Sequence, residues 1–242
     1  PMRQVCIRCA DALVGVSKDS LYAFQDVKNR NSKKNHVIHC GIDTALYHRK
    51  PPNKREFIKL HKLPDDANIL LFVGRMTEDK NPLFVIEILS HLFKLDSTIC
   101  AVFAGVGPLE LTVHKIAVQE SLDSRVRVLG WQDDIPSLMQ SSDMLVWPGK
   151  EHIMEGLGLA VVEAQAAGLS VLMSLNVPEE AIVVSELVDV LPLGAGAKEW
   201  ASKIISKLSR SKIARDISLA KVEASSFTIS RSTADILALY DE

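Results

Sequence analysis

One apolar run sets the architecture of this chain: Ile69-Leu70-Leu71-Phe72-Val73-Gly74. An unbroken run of this kind is typical of a β-strand buried on both faces of a parallel sheet, because a half-exposed strand alternates apolar and polar residues. Residues 82–94 then follow a helical pattern that begins at a proline, and Asn81 is the predicted N-cap. The sequence therefore predicts a strand that is followed directly by a helix.

The same alternation of strand and helix continues in both directions from this unit. The other candidate strands are residues 12–17, 36–39, 99–105, 126–130, 144–147, 171–174 and 188–191, and the other candidate helices are 108–120, 158–167 and 229–242. Gly168 lies where such a helix usually ends. Repeated βαβ units predict an α/β fold with a doubly wound, Rossmann-like parallel sheet.

The composition is that of an ordinary globular protein. Of 242 residues, 47% are hydrophobic, the formal net charge is -2, and no run approaches the ~18 apolar residues that span a bilayer. With a pI near 6.4, nucleic acid is not an expected partner. The four cysteines are too scattered for a disulfide scaffold, so we expect free thiols, no metal site at Cys6 and Cys9, and a cytoplasmic protein.

The charge is distributed unevenly along the chain. Residues 28–62 carry ten Lys and Arg against two acids, so this segment is +8 while the remainder is -10. Such a segment suits peripheral contact with anionic lipid at the inner membrane face, or a phosphate-bearing substrate. A solvated linker and helix face is the commoner explanation, and both interpretations stay open.

The junctions between strands and helices are the candidate site, because ligands of open parallel sheets bind there. Gly74 and Arg75 follow the first apolar run, and Lys80 stands just before the predicted helix. Two cations beside a helix start suit a diphosphate, since the N–H groups and the dipole of the helix add to their charge. The alternative is a pair of surface cations that flank a loop.

Two further junctions carry weaker signals. Gly105 and Gly107 lie where the absence of a side chain lets a ligand approach the backbone, or where the chain makes a tight turn. They do not form the dinucleotide fingerprint G-x-G-x-x-G, because Glu110 occupies the place of the third glycine. Asp134, after strand 126–130, is a candidate border of a nucleobase pocket, and a plain N-cap role is at least as compatible with its position.

The richest junction is Glu155-Gly156-Leu157-Gly158-Leu159, which leads to Glu163 inside an otherwise apolar helix. A buried carboxylate is costly unless it is hydrogen-bonded, and a ribose diol is a natural partner for Glu163. The two glycines let phosphate oxygens reach the helix start. We favour this interpretation over one in which Glu155 caps the helix and Glu163 is a structural buried residue.

Taken in order, these segments resemble the C-terminal domain of the GT-B-fold glycosyltransferases of group 1 (family 4), of the bacterial capsular and exopolysaccharide type. The resemblance covers residues 36–226. Its segments are Cys40-Gly41-Ile42-Asp43, Gly74-Arg75, Lys80-Asn81-Pro82, Gly105-Val106-Gly107-Pro108, Leu129-Gly130-Trp131-Gln132-Asp133-Asp134-Ile135, and Glu155 to Leu159 leading into Glu163-Ala164-Gln165-Ala166-Ala167-Gly168. An ordered series of motifs is far more specific than any one of them.

The resemblance implies transfer of a sugar, usually from a UDP-linked donor, to a saccharide or lipid-linked saccharide with retention of anomeric configuration. It implies that Arg75 and Lys80 bind the donor diphosphate, that Glu155 lies by the donor sugar, and that Glu163 holds the ribose hydroxyls. The catalytic set is then Arg75, Lys80 and Glu155; the donor-binding set is Gly74, Gly105, Gly107, Asp134, Gly156, Leu157, Gly158, Leu159 and Glu163. No metal and no cofactor is expected, because cations and a helix dipole offset the developing phosphate charge.

The sequence also departs from the family pattern. Cys40 stands where the family usually has Asn, Gly149 stands where it has Ser, and residues 149–154 differ from the common loop, so the sugar stays open.

In the family, the N-terminal domain is larger by ~150 residues than the segment that precedes the donor-binding domain in this chain. We therefore expect residues 1–35 to be its remnant with a linker, 36–226 the donor-binding domain, and 227–242 a helix that packs on the N-terminal domain. Such a chain alone would turn over poorly or not at all. The alternatives are a GT-B nucleotide-sugar epimerase and a non-catalytic donor-binding fragment.

Overall fold

The computed structural model describes residues 2–24, 30–210 and 213–241. Its strands are β1 (Leu13–Gly15), β2 (Asn35–Val37), β3 (Asn68–Val73), β4 (Ile99–Ala104), β5 (Val126–Val128), β6 (Met144–Trp147), β7 (Ser170–Met173) and β8 (Val188–Val190). The last six form one parallel sheet in the order β5-β4-β3-β6-β7-β8. The apolar run of β3 therefore lies in the middle of the sheet, where β4 and β6 flank it.

Helices cover both faces of this sheet. They are α1 (Met2–Cys9), α2 (Lys18–Ala23), α3 (Lys54–Leu60), α4 (Pro82–Leu92), α5 (Glu110–Gln119), α6 (Ile135–Gln140), α7 (Leu159–Ala166), α8 (Ala197–Leu208), α9 (Arg215–Glu223) and α10 (Ile229–Ala238). Ile69 and Leu71 pack in the core layer that contains α7 and α9, whereas Leu70 and Phe72 pack in the layer that contains α4, α5 and α8. Successive residues of β3 thus serve opposite layers, which is why the whole run is apolar. The predicted doubly wound α/β fold is confirmed.

The predicted strands are confirmed to within two residues at either end, and Asn81 is confirmed at the N-cap position of α4, directly before Pro82. The side chain of Asn81 does not cap α4. Asn81 has a left-handed backbone (φ 56°), unlike the extended backbone of a usual capping residue. Its Nδ2 instead donates to the carbonyl oxygen of Pro148 at 3.0 Å.

A two-stranded sheet and a bridge to the C-terminal segment lie outside the main sheet. β1 and β2 pair in parallel, so β2, which the sequence placed with the donor-binding domain, pairs with the N-terminal segment. Ile42 and Thr228 form a parallel bridge just before α10, and no residue of α10 is buried by the described chain. Glycine at position 41 allows the two segments to lie this close together, since a Cβ there would lie 2.4 Å from the Thr228 backbone. The domain limits and the packing of the terminal helix stay predictions.

The cations of residues 28–62 divide into paired and exposed ones. Lys28 lies outside the described residues. Lys54 pairs with Asp143 at 2.5 Å, and Lys34 donates to a backbone carbonyl oxygen. Lys34 is nevertheless exposed, and the other exposed cations are Arg30, Lys33, Arg49, Lys50, Arg55, Lys59 and Lys62. No helix in the described part of the chain is long and apolar enough to cross a membrane.

The four cysteines are free thiols; Cys100 is buried and the other three are exposed. Among residues 2–24, 30–210 and 213–241, no group of three or more His, Cys, Asp or Glu side chains is arranged to hold a metal ion.

The fold predicts an unequal cost for two glycine substitutions. Gly105→Ala would place a Cβ 1.9 Å from the Gly74 carbonyl oxygen at a φ of +136°, so we expect a loss of at least ~2 kcal/mol in the free energy of unfolding. Gly194→Ala, which has nothing within 4 Å, should change it by less than ~0.5 kcal/mol. Urea titrations followed by circular dichroism measure both values, and equal midpoints for the two variants would contradict the prediction.

Candidate functional site

The candidate site lies where the strand order of the sheet reverses. The chain runs outward from β3 through β4 to β5, then returns to place β6 on the other side of β3. The helix after β3, α4, packs in one core layer, and the helix after β6, α7, packs in the other. The loops that follow β3 and β6 therefore diverge and leave a crevice at the carboxyl edge of the sheet, which is where open α/β sheets bind ligands.

Hydrogen bonds hold these two loops in a fixed relation. The bond from Asn81 to the Pro148 carbonyl oxygen joins the end of the first loop to the start of the second. The backbone N–H of Lys150 donates to the carbonyl oxygen of Asp79 at 2.9 Å. The side chain of Lys150 also pairs with Glu78 at 2.8 Å. The crevice therefore has defined walls on both sides.

Two cations and one carboxylate lie along the first wall. The Asp79 carboxylate is 3.4 Å from the Arg75 guanidinium and 4.0 Å from the Lys80 ammonium. A hydrogen bond from the Thr77 side chain, helped by the charges of Lys80 and Arg75, lowers the pKa of Asp79. Arg75 is 71% exposed and Lys80 only 13%. Lys80 is thus held in place, whereas Arg75 has room to turn toward a bound anion.

Lys80 also joins the first wall to the second. Its ammonium group makes an ion pair with the Glu155 carboxylate and lies 5.3 Å from the centroid of the Trp147 ring. Glu155 is only 18% exposed. The indole N–H of Trp147 is buried and has no acceptor among the described residues. The structure therefore brings together three residues that the sequence predicted, Arg75, Lys80 and Glu155, around a partly desolvated centre.

The second wall continues into the start of α7. Gly158 has a φ of +77°, and a Cβ there would lie 2.8 Å from Val177, so glycine is required at this position. The side chain of Leu157 is buried in the core, and Leu159 is partly buried. No described side chain accepts from the N–H groups of Leu159 and Ala160. This helix start is therefore open to an anionic group.

Glu163 lies in the second turn of α7, in a separate cluster of acidic groups. Burial raises the pKa of Glu163 to about 7. Burial, followed by the charges of Glu163, Asp134 and Asp43, raises the pKa of Tyr47. No described residue donates a hydrogen bond to the Glu163 carboxylate. Asp134 caps α6 by accepting from the Ser137 N–H at 3.1 Å, which confirms its N-cap interpretation, and its contact with a nucleobase stays a prediction.

The glycines of the first two loops serve the contact between those loops. A Cβ on Gly107 would lie 2.5 Å from the Met76 carbonyl oxygen, and the one on Gly105 would meet Gly74. Backbone hydrogen bonds join the same segments, such as Met76 N–H to the Val106 carbonyl oxygen at 2.9 Å. Close packing of backbone on backbone therefore explains these glycines, while their contacts with a donor stay predictions.

Sequence reasoning missed four residues of this region: Tyr47, Asp79, Asn81 as a bridge, and Trp147. Asp79 lies inside the motif that was identified, so the alternation of acid and cation there was the available signal. Trp147 ends a predicted strand and was detectable by its position. Tyr47 and the Asn81 bridge depend on contacts with distant segments, for which the sequence carries no local signal.

The charged crevice at the switch point of a doubly wound sheet defines the class of this protein as a Rossmann-like ligand-binding domain. The chain belongs to the group 1 glycosyltransferases: a family model described as "Glycosyl transferases group 1" matches residues 53–220. The predicted resemblance is confirmed.

Relatives with curated names agree with this membership. A Bacillus subtilis (strain 168) protein, named provisionally as the glycosyltransferase EpsF, is 30% identical over 202 residues, which are 84% of this chain and 52% of that protein. An Escherichia coli protein named UDP-Gal:alpha-D-GlcNAc-diphosphoundecaprenol alpha-1,3-galactosyltransferase is 32% identical over 142 residues, which are 57% of this chain and 36% of that protein. The matched part of the chain therefore spans about half the length of the Bacillus relative, and 36% of the length of the Escherichia coli relative.

Solved structures agree on the fold. Anabaena HepE, crystallised with UDP and glucose, superposes with a TM-score of 0.82 at 19% identity. The superposition covers 99% of this chain and 65% of the HepE chain. The C-terminal domain of the Francisella tularensis group 1 protein LpcC gives a TM-score of 0.62 at 23% identity, over 78% of this chain and 100% of its own. At these identities the likeness establishes the C-terminal GT-B fold alone.

The raised pKa of Glu163 predicts a pH-dependent effect of one substitution. Since the folded chain binds this proton more tightly than the unfolded chain, whose Glu has a pKa near 4.5, the free energy of unfolding falls from about pH 4.5 upward, and the loss is complete above about pH 7. Glu163→Gln should therefore raise the free energy of unfolding at pH 8 by up to ~3 kcal/mol, at 1.36 kcal/mol per pKa unit, and leave it unchanged below about pH 4.5. Chemical unfolding at several pH values measures this difference.

Glu120→Gln, at an exposed position, is the matched control and should give no pH-dependent difference. A Glu163→Gln curve parallel to wild type from pH 5 to pH 8 would contradict the assignment.

Proposed function

We propose that the crevice binds a nucleotide-sugar donor, UDP-linked, and that the chain is the donor-binding half of a retaining hexosyltransferase. The acceptor in this proposal is a saccharide or a lipid-linked saccharide. One observation carries the proposal: Arg75, Lys80 and Glu155 meet at the switch point of the sheet, beside the open start of α7. Family membership supports the reaction class.

The cations suit the diphosphate of such a donor. When the bond between sugar and phosphate breaks, negative charge develops on the leaving nucleotide. Arg75 and Lys80 supply two positive charges, and the N–H groups at the start of α7 supply aligned dipoles. These groups would replace a metal ion in offsetting that charge, so the proposal includes neither a metal nor a cofactor.

The state of Glu163 suits the ribose of the donor. Its carboxylate is partly desolvated and has no hydrogen-bond donor among the described residues, which leaves the ionised form poorly stabilised by the protein. Two ribose hydroxyls would donate to it and would favour the ionised form. A UDP donor is favoured because Anabaena HepE was crystallised with UDP and the Escherichia coli relative carries UDP-Gal in its name.

Glu155 would then face the donor sugar. Its carboxylate forms an ion pair with Lys80, so a phosphate that binds Lys80 would lie next to this carboxylate. Sugar hydroxyls are ordinary partners for a carboxylate of this kind.

The exposed cations around α3 are proposed to face anionic lipid at the inner membrane face. Arg55, Lys59 and Lys62 are exposed on or next to this helix, and Arg49 and Lys50 precede it. Surface cations of this density attract anionic headgroups at moderate ionic strength. A lipid-linked acceptor would be within reach of a protein held there.

Calorimetric titration with UDP tests the donor site. We expect binding by the wild-type chain and a loss of at least ~tenfold in affinity for Lys80→Met and for Glu163→Ala, because a hydrogen bond to a charged group contributes roughly 1.5–3 kcal/mol. Lys115→Met removes an exposed cation from α5 and should bind as wild type. Absence of heat with wild type, or equal affinity for all variants, would refute the donor site.

Product analysis tests the reaction class. With a labelled UDP-sugar and a membrane saccharide fraction, we expect label in a glycoside whose anomeric configuration, read by NMR, matches that of the donor. We expect this transfer to be slow for the chain alone, since acceptor recognition lies mostly outside the donor crevice. A free isomer of the UDP-sugar would identify an epimerase, and UDP binding without either product would identify a donor-binding fragment.

A further inference from the structure

The turn between β1 and α2 reaches the loop that starts α7. Ser17 is fully buried, and its hydroxyl donates to the carbonyl oxygen of Gly156 at 2.6 Å. The same hydroxyl accepts from the Ser20 N–H at the start of α2. The N-terminal segment is thus tied directly to the loop between Glu155 and Gly158, although 139 residues separate Ser17 from Gly156.

The opposite side of this loop is also anchored. The Glu155 N–H donates to the Asn176 carbonyl oxygen at 2.9 Å, and Gly158 packs against Val177. The Glu180 carboxylate accepts from the Lys18 N–H at 3.1 and 3.3 Å, which ties the start of α2 to the segment after Val177. Residues 155–158 are therefore held between the N-terminal turn and residues 176–180.

The bond to Ser17 fixes the direction of one peptide group. Because a trans peptide is planar, the carbonyl of Gly156 and the N–H of Leu157 point in opposite directions. With the carbonyl turned toward Ser17, the Leu157 N–H points away from it. That N–H has no acceptor among the residues that the structure describes, although the side chain of Leu157 is buried. Glycine at both 156 and 158 would otherwise leave this peptide free to rotate.

We propose that Ser17 is a positioning residue of the donor site: it sets the Gly156–Leu157 peptide so that the Leu157 N–H donates to an oxygen of the donor diphosphate. This inference rests on the proposed donor-binding function. It adds that the N-terminal segment completes a site whose other proposed donor contacts all lie after residue 73.

Hydrogen exchange measured by mass spectrometry on the whole chain tests the positioning role without any ligand. In Ser17→Ala, the amide of Glu155, whose N–H donates to the Asn176 carbonyl oxygen, should exchange about fivefold faster, the factor that corresponds to roughly 1 kcal/mol for one hydrogen bond. Ser20→Ala is the matched control, because it breaks the reciprocal bonds of the α2 cap and leaves the bond to Gly156 intact. Both variants should loosen α2, and only Ser17→Ala should loosen residues 155–158.

Titration of the same variants with UDP tests the donor contact. Ser17→Ala should bind UDP about fivefold more weakly than wild type, and Ser20→Ala should bind it equally well. Unchanged exchange at Glu155, or an equal effect of both variants, would overturn the positioning role. Altered exchange with unchanged UDP affinity would overturn the donor contact alone. If wild type bound no UDP, the proposed function would fail, and with it the donor contact, while the exchange result would still decide the role of Ser17 in the loop.

Discussion

The contact between the loop after β3 and the loop after β6 is the constraint on which the candidate site depends. The two loops belong to strands that are neighbours in the sheet but far apart in sequence, and their helices leave toward opposite faces. Without cross-links, such loops would splay. The bond from Asn81 to the Pro148 carbonyl oxygen and the ion pair of Lys80 with Glu155 prevent this, and both contacts are made by polar groups of these loops. The groups that hold the walls together are thus close to those that would meet a ligand.

Two polar residues of α7 illustrate how the structure separates a structural role from a functional one. Gln165 is fully buried, and its amide group is satisfied: Nε2 donates to the carbonyl oxygens of Val161 and Ala181, and Oε1 accepts from two backbone N–H groups. Glu163, two residues earlier, has no such partners among the described residues and has a raised pKa. A buried polar group that serves the fold is normally hydrogen-bonded, as Gln165 is. Glu163 is half-buried and makes no hydrogen bond of this kind to the described residues, so a ligand explains this residue better than the fold does.

The sequence predicted what depends on local pattern and on the order of elements. β3 was predictable because burial on both faces forces every residue to be apolar, and the crevice was predictable because parallel strands bring their carboxyl ends to one edge. The N-cap position of Asn81 was predictable from the local pattern, whereas the acceptor of its side chain lies 67 residues away and leaves no such signal. The proximity of Tyr47 to Glu163 and the pairing of β2 with β1 also depend on tertiary contacts that leave no periodic signal.

The support of residues 155–158 indicates why the matched family region is not by itself the whole site. A loop with glycine at 156 and 158 has a large conformational entropy to lose, so its geometry must be set by neighbours. Asn176 supplies one anchor from within the region 53–220 that matches the family model. Ser17 supplies the other from outside it. A fragment cut at residue 53 would retain Arg75, Lys80, Glu155 and Glu163 but would leave the Gly156 carbonyl without the hydroxyl that now fixes it, so the presence of the charged residues would not guarantee their arrangement.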